Sequence, residues 1–120
     1  MIETLDGFPA DAVAVRAGGF VTESDYDQVL VPAVERAFRS NESVRLYYEI
    51  GPDFYGYSLG ALSRDFWVGM RHLTRWKRVA VVTDISWIAQ FVRMYSFVVP
   101  GPTMVFRTAD AAAARAWLAT

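Results

Sequence analysis

No cysteine occurs in the sequence, which excludes disulfides and thiolate-held zinc or iron–sulfur centres and fits a reducing compartment. Histidine occurs once, at His72, and a lone histidine cannot build a zinc site without other good ligands. Neither charge sign dominates: 12 basic residues against 13 acidic ones leave a net charge of -1 and no general pull toward nucleic acid or an anionic membrane. No apolar run is long enough to span a bilayer, because residues 85–99 are interrupted by Gln90 and Arg93. The first six residues are acidic and lack the basic start of a signal peptide, so no integral membrane segment and a cytoplasmic location are expected.

What the chain has in quantity is core material. Of its 120 residues 53% are hydrophobic and 15% aromatic, far from the composition of disordered segments and suited to one core, so residues 1–120 are expected to form a single domain. Short apolar segments at Ile2–Leu5 and Ala12–Ala17, separated by Asp6-Gly7-Phe8-Pro9, read as a strand pair. Thr22 with Asp25, and Ser24 with Asp27, offer overlapping helix-start signals. Tyr26, Leu30, Val34, Ala37 and Phe38 then share a helical face that Pro32 should kink or split.

Ser43–Ile50 reads as a buried strand that Gly51-Pro52 ends. Leu59, Leu62, Phe66, Met70 and Leu73 recur at helical spacing after Ser58, and Arg78–Thr83 is the clearest strand. Asp84 is placed to cap a third helix from Ile85 to about Val98; Met104–Phe106 makes a last strand, and Ala109–Leu118 a closing helix anchored by Trp117 and Leu118. The order β-β-α-β-α-β-α-β-α predicts an α/β fold whose mixed sheet is mostly parallel, with one antiparallel partner from the N-terminal pair.

Several segments in that order carry a resemblance: Gly19 followed by Thr22-Glu23-Ser24-Asp25-Tyr26; Leu46-Tyr47-Tyr48-Glu49 before an aromatic loop; Arg78–Asp84 with Trp87; and Val105-Phe106 leading to Ala116-Trp117-Leu118. Together they resemble the SpoIIAA-like family of STAS-like domains over nearly the whole chain. The resemblance implies a five-stranded sheet flanked by four helices, and a protein-interaction or regulatory module with a regulatory protein partner. STAS domains of known role are switched by phosphorylation of a serine at a helix start after the central strand. The nearest position here is Ser58, but Tyr57 stands where those domains have an aspartate, and one serine replaces their pair. Read from its residues alone, Ser58 is a helix cap.

Catalytic patterns are thin. His72 falls off the apolar stripe and is expected in solvent without an orienting partner; Gly51, Gly56 and Gly60 lack the lysine of a phosphate loop; and Glu49 with Asp53 read as solvated acids at a strand end. No catalytic residue, cofactor or metal is therefore expected, and the protein is read as no enzyme. Two features stand out instead. Phe54, Tyr55 and Tyr57, with Trp87, gather where α/β sheets tend to bind ligands and are candidates to line a pocket for an apolar or lipid-like small molecule. On the third helix Ser86, Gln90 and Arg93 make a narrow polar stripe, so Phe91, Met94, Tyr95 and Val98 are left as candidates for a homodimer interface. Charge divides along the chain, with ten acids and four bases in residues 1–60 against three and eight in residues 61–120; the basic run from Arg71 to Arg78 is read as a solvated helix end.

Overall fold

The computed structural model describes residues 1–72, 74–97 and 102–120. A five-stranded sheet has the order β1-β2-β4-β6-β7, formed by Ile2–Thr4, Ala12–Ala17, Val44–Ile50, Trp76–Val82 and Thr103–Phe106. β1 runs antiparallel to β2, and every other neighbouring pair is parallel. Two short strands that periodicity does not reveal, β3 (Phe20–Val21) and β5 (Gly56–Tyr57), pair parallel beside the main sheet. They are two residues long and carry no alternation to detect.

The first helical run begins at Thr22, whose hydroxyl accepts from the Asp25 amide while Asp25 returns a bond to the Thr22 amide. Three residues, Glu23–Asp25 (α1), lead into a π-helical turn at Tyr26–Leu30 and then α2 (Val31–Ser40). The split expected at Pro32 thus appears as a widened turn: the Val31 amide reaches back to the Tyr26 carbonyl, and proline, lacking a donor, occupies the first turn of α2. That turn swings Tyr26 and Leu30 into the core.

Strand β4 alternates strictly. Val44, Leu46, Tyr48 and Ile50 meet one face of the sheet, and Arg45, Tyr47 and Glu49 the other. Opposite it, β6 carries a bulge, since Val44 pairs with Trp76 but Arg45 with Arg78, leaving Lys77 over. Trp76 and Val79 consequently share the larger core although they are three apart. That core is covered by α2, by α3 (Leu59–Arg71) and by α4 (Ser86–Tyr95). The opposite face is covered by α5 (Ala111–Ala119), where Ala114 and Leu118 bury themselves against Tyr47, Ala80 and Val82.

Two helix ends differ from expectation. Asp84 does not cap α4, whose N-cap position is Ile85 and carries no side-chain cap: the Asp84 Oδ1 accepts from the Thr108 amide at 2.9 Å, and Thr83 Oγ1 accepts from the Ile85 amide at 3.0 Å ahead of the helix. The basic run around residue 75 is engaged, because Arg75 donates to the carbonyls of Phe38, Asn41 and Glu42 and so satisfies the C-terminal end of α2.

Since Leu118 is fully buried in the cluster beneath α5, Leu118→Ala should cost about 2–5 kcal/mol in urea unfolding. Leu59→Ala, at an 86% exposed position, should move the midpoint little, within about 0.5 kcal/mol.

Candidate functional site

Between the sheet and the helices α3 and α4 lies a cavity of about 110 Å³. Its floor is the β4–β6 surface, with Leu46, Val79 and Val81; Tyr26 and Leu30 of the π-helical turn form one side, and Trp87, Ile88 and Phe91 of α4 the roof. The two roof helices meet at Gly69. A Cβ there would overlap the Tyr95 hydroxyl, so the missing side chain is what lets the tyrosine cross α3. The Tyr95 ring also contacts those of Phe66 and Phe91, with centroids 6.1 and 6.4 Å away.

One polar assembly interrupts the apolar wall. Tyr26 donates to Asp65 Oδ1 at 2.7 Å, and its hydroxyl lies 3.1 Å from that of Tyr48, which lies 2.9 Å from that of Tyr57. Four groups from the π-helical turn, β4, β5 and α3 are thereby tied in sequence. Burial pushes the Asp65 carboxyl above the ordinary carboxylate range, and the Tyr26 bond offsets this only in part. Burial likewise raises the phenols of Tyr26, Tyr48 and Tyr57, with Asp65 adding to each, so all three remain protonated donors.

Residues 12–119 match the SpoIIAA-like family. The chain belongs to that family. The fold is also similar to the crystal structure of an uncharacterised protein from the DUF3478 family with a SpoIIAA-like fold, from Shewanella loihica PV-4. The two are 26% identical with a TM-score of 0.72, and the likeness covers 98% of this chain and 93% of that one. No curated protein matches the chain.

Within this SpoIIAA-like domain the aromatic loop divides. Tyr57 and Trp87 line the cavity; Phe54 is buried behind Tyr57, at 4.9 Å between centroids, and Tyr55 is 77% exposed against Phe20. Tyr55 precedes β5 and stands outside the cavity, its ring lying against that of Phe20. Ser58 caps α3, accepting from the Ala61 amide at 3.0 Å. The Glu23 carboxylate approaches Gly60, two residues on, where it is paired with Arg64 at 2.7 Å.

On α4, Phe91 and Met94 are exposed and Tyr95 is half-buried against Gly69; Val98 lies outside the described residues. His72 is not in solvent. Its side chain is 10% exposed, stacked on Phe38 at 4.0 Å, with Nε2 3.0 Å from Glu35 Oε1. Helical periodicity places it off the stripe of α3, but the position lies past the helix, where the chain turns toward α2. Glu49 and Asp53 form no pair. Burial would raise Glu49, but bonds from the Tyr47 hydroxyl and Arg16, both 2.6 Å, outweigh it and hold the carboxyl below its ordinary range.

The Asp65 network was not legible beforehand, since its members come from four elements and Asp65 reads as an ordinary charged position on an amphipathic helix. The distinguishing signal is that Asp65 follows Leu62 by three and precedes Gly69 by four, which puts it on the inward side of α3.

Because the folded protein holds the Asp65 proton more tightly than the unfolded chain, this group favours folding below the ordinary carboxylate pKa of 3.8. The advantage is lost as pH rises through the raised folded value. Asp65→Asn keeps an oxygen for Tyr26 and abolishes the charge. The variant should therefore gain stability relative to the unsubstituted protein between acid and neutral pH, with the gap closing near pH 4. Urea midpoints of both proteins across that range test it; a gap that widens toward acid pH contradicts it.

Proposed function

We propose that this SpoIIAA-like chain is a non-catalytic interaction module that pairs with a second copy of itself through the outer face of α3 and α4. The supporting observation is the row Trp87, Phe91 and Met94, four and three residues apart on one face of α4 and exposed by 51, 46 and 70%. Phe66 of α3, 53% exposed, extends the row across the Tyr95 ring. Contiguous apolar surface of this kind on a small domain marks an interaction site, and a two-fold pair is the commonest way to cover it. The family supports the same reading, since SpoIIAA-like domains often bind protein partners. The non-catalytic part rests on the cavity's chemistry: its tyrosine hydroxyls bond to one another and to Asp65.

A second reading has an observation of its own. The cavity beneath the same helices suits a small apolar ligand, being similar in scale to the ~150 Å³ engineered apolar cavity that holds benzene in another protein. In this reading the domain carries such a ligand.

Met94→Glu places a charge within the exposed row, at its most exposed position, without touching the core. Sedimentation equilibrium should show a dimer for the unsubstituted chain and a monomer for the variant, with thermal midpoints within a few degrees of each other. A monomeric unsubstituted chain at tens of micromolar would overturn self-association.

A further inference from the structure

We propose that the cavity binds a small apolar molecule bearing a cationic amine, with Asp65 pairing the amine and the aliphatic wall holding the body. The inference rests on the second reading above, that the cavity takes an apolar ligand, and adds the chemistry of its head.

The direction of the hydrogen bonds comes first. Tyr26 spends its proton on Asp65 Oδ1, so its oxygen is left to accept from Tyr48, and the oxygen of Tyr48 in turn accepts from Tyr57. The phenolic protons of Tyr26, Tyr48 and Tyr57 all point toward the carboxylate. Asp65 Oδ2 takes no bond among the described residues, yet no fully buried side-chain nitrogen or oxygen there lacks a partner; Oδ2 therefore keeps accessible surface, on a residue that lines the cavity. The site offers acceptors, Oδ2 at one end and Tyr57 Oη at the other, and asks for a donor.

Charge narrows the donor. Among the described residues, no lysine, arginine or histidine lines the cavity, and Asp65 is its one carboxyl. The neighbouring Arg64 is turned away, held by Glu23 at 2.7 Å and Asp27 at 2.9 Å. The other titratable groups facing Asp65 are Tyr26 from the π-helical turn, Tyr48 from β4, Tyr57 from β5 and Tyr95 from α4, whose phenol burial and Asp65 push up to about 12. None supplies positive charge. A carboxylate removed from water without a cation is unfavourable, and a ligand ammonium relieves that while its hydrocarbon part meets Val79, Val81 and Ile88.

Benzylamine, benzyl alcohol, toluene and benzoate are matched probes, read by the fluorescence of Trp76 and Trp87 in the cavity wall. Near neutral pH benzylamine should bind at least about tenfold more tightly than toluene, the scale of a charge-assisted hydrogen bond, with benzoate weakest. Its advantage should shrink as pH falls and Asp65 takes up a proton, while toluene affinity stays level. That comparison uses the unsubstituted protein and so does not depend on a variant folding. Asp65→Asn should bring benzylamine down to the affinity of toluene. Toluene binding as tightly as benzylamine, or benzoate binding more tightly, overturns the amine head and leaves the apolar carrier standing. Failure of all four probes overturns both.

Discussion

A five-stranded sheet must be covered on both faces, and here the cover is unequal: one helix on one side, and the long helical run with α3 and α4 on the other. On the sparse side, close packing depends on small strand residues. Ala14 and Ala80 belong to the cluster that α5 covers, where Ala114 and Leu118 are fully buried. On the other side the aromatic residues Tyr26, Tyr48 and Trp76 take part in the core. The bulge at Lys77 adds to this by presenting both Trp76 and Val79 upward. The cavity lies beneath the point where α3 and α4 meet, at Gly69 and Tyr95 above the sheet.

Asp65 and its three tyrosines give this loosely filled region a defined geometry. Apolar packing is tolerant of rearrangement, whereas hydrogen bonds in a dry site fix both distance and direction. The network joins the π-helical turn, β4, β5 and α3 from within, as the Arg64–Asp27 pair joins the turn to α3 at the surface. The π-helical turn is part of the same arrangement: the residue it accommodates before Pro32 sets the rotation that brings Tyr26 to Asp65. Two local irregularities, the bulge and the widened turn, thus both face the cavity.

The order of elements was legible in the sequence because strands of β-branched residues and helices with apolar stripes carry strong periodic signals. The family resemblance read from those segments agrees with the match over residues 12–119. What escaped detection lacks periodicity. β3 and β5 are too short to alternate, and the absence of Asp84 from the start of α4 turns on its contact with Thr108, 24 residues away. His72 was misplaced for a related reason: a helical wheel extended past Arg71 assigns a direction that the turning chain no longer follows. Tyr57 and Trp87 were singled out as local aromatics, but the acid that gives their surroundings chemical character lies on another element.

The exposed face and the cavity are not independent surfaces. Trp87 and Phe91 belong to both, each lining the cavity while leaving 51 and 46% of its surface to solvent. A side chain pressed from outside by a second copy has fewer rotamers with which to admit a molecule from within, and one braced from within presents a firmer surface outward. Occupancy of one side must then alter the affinity of the other by a common factor, because linkage between two binding events is reciprocal. The sign depends on whether the rotamers of Trp87 and Phe91 that close over a filled cavity are those that pack across the pair. In either case α4, with a single layer of side chains between water and the cavity, is where the two processes meet.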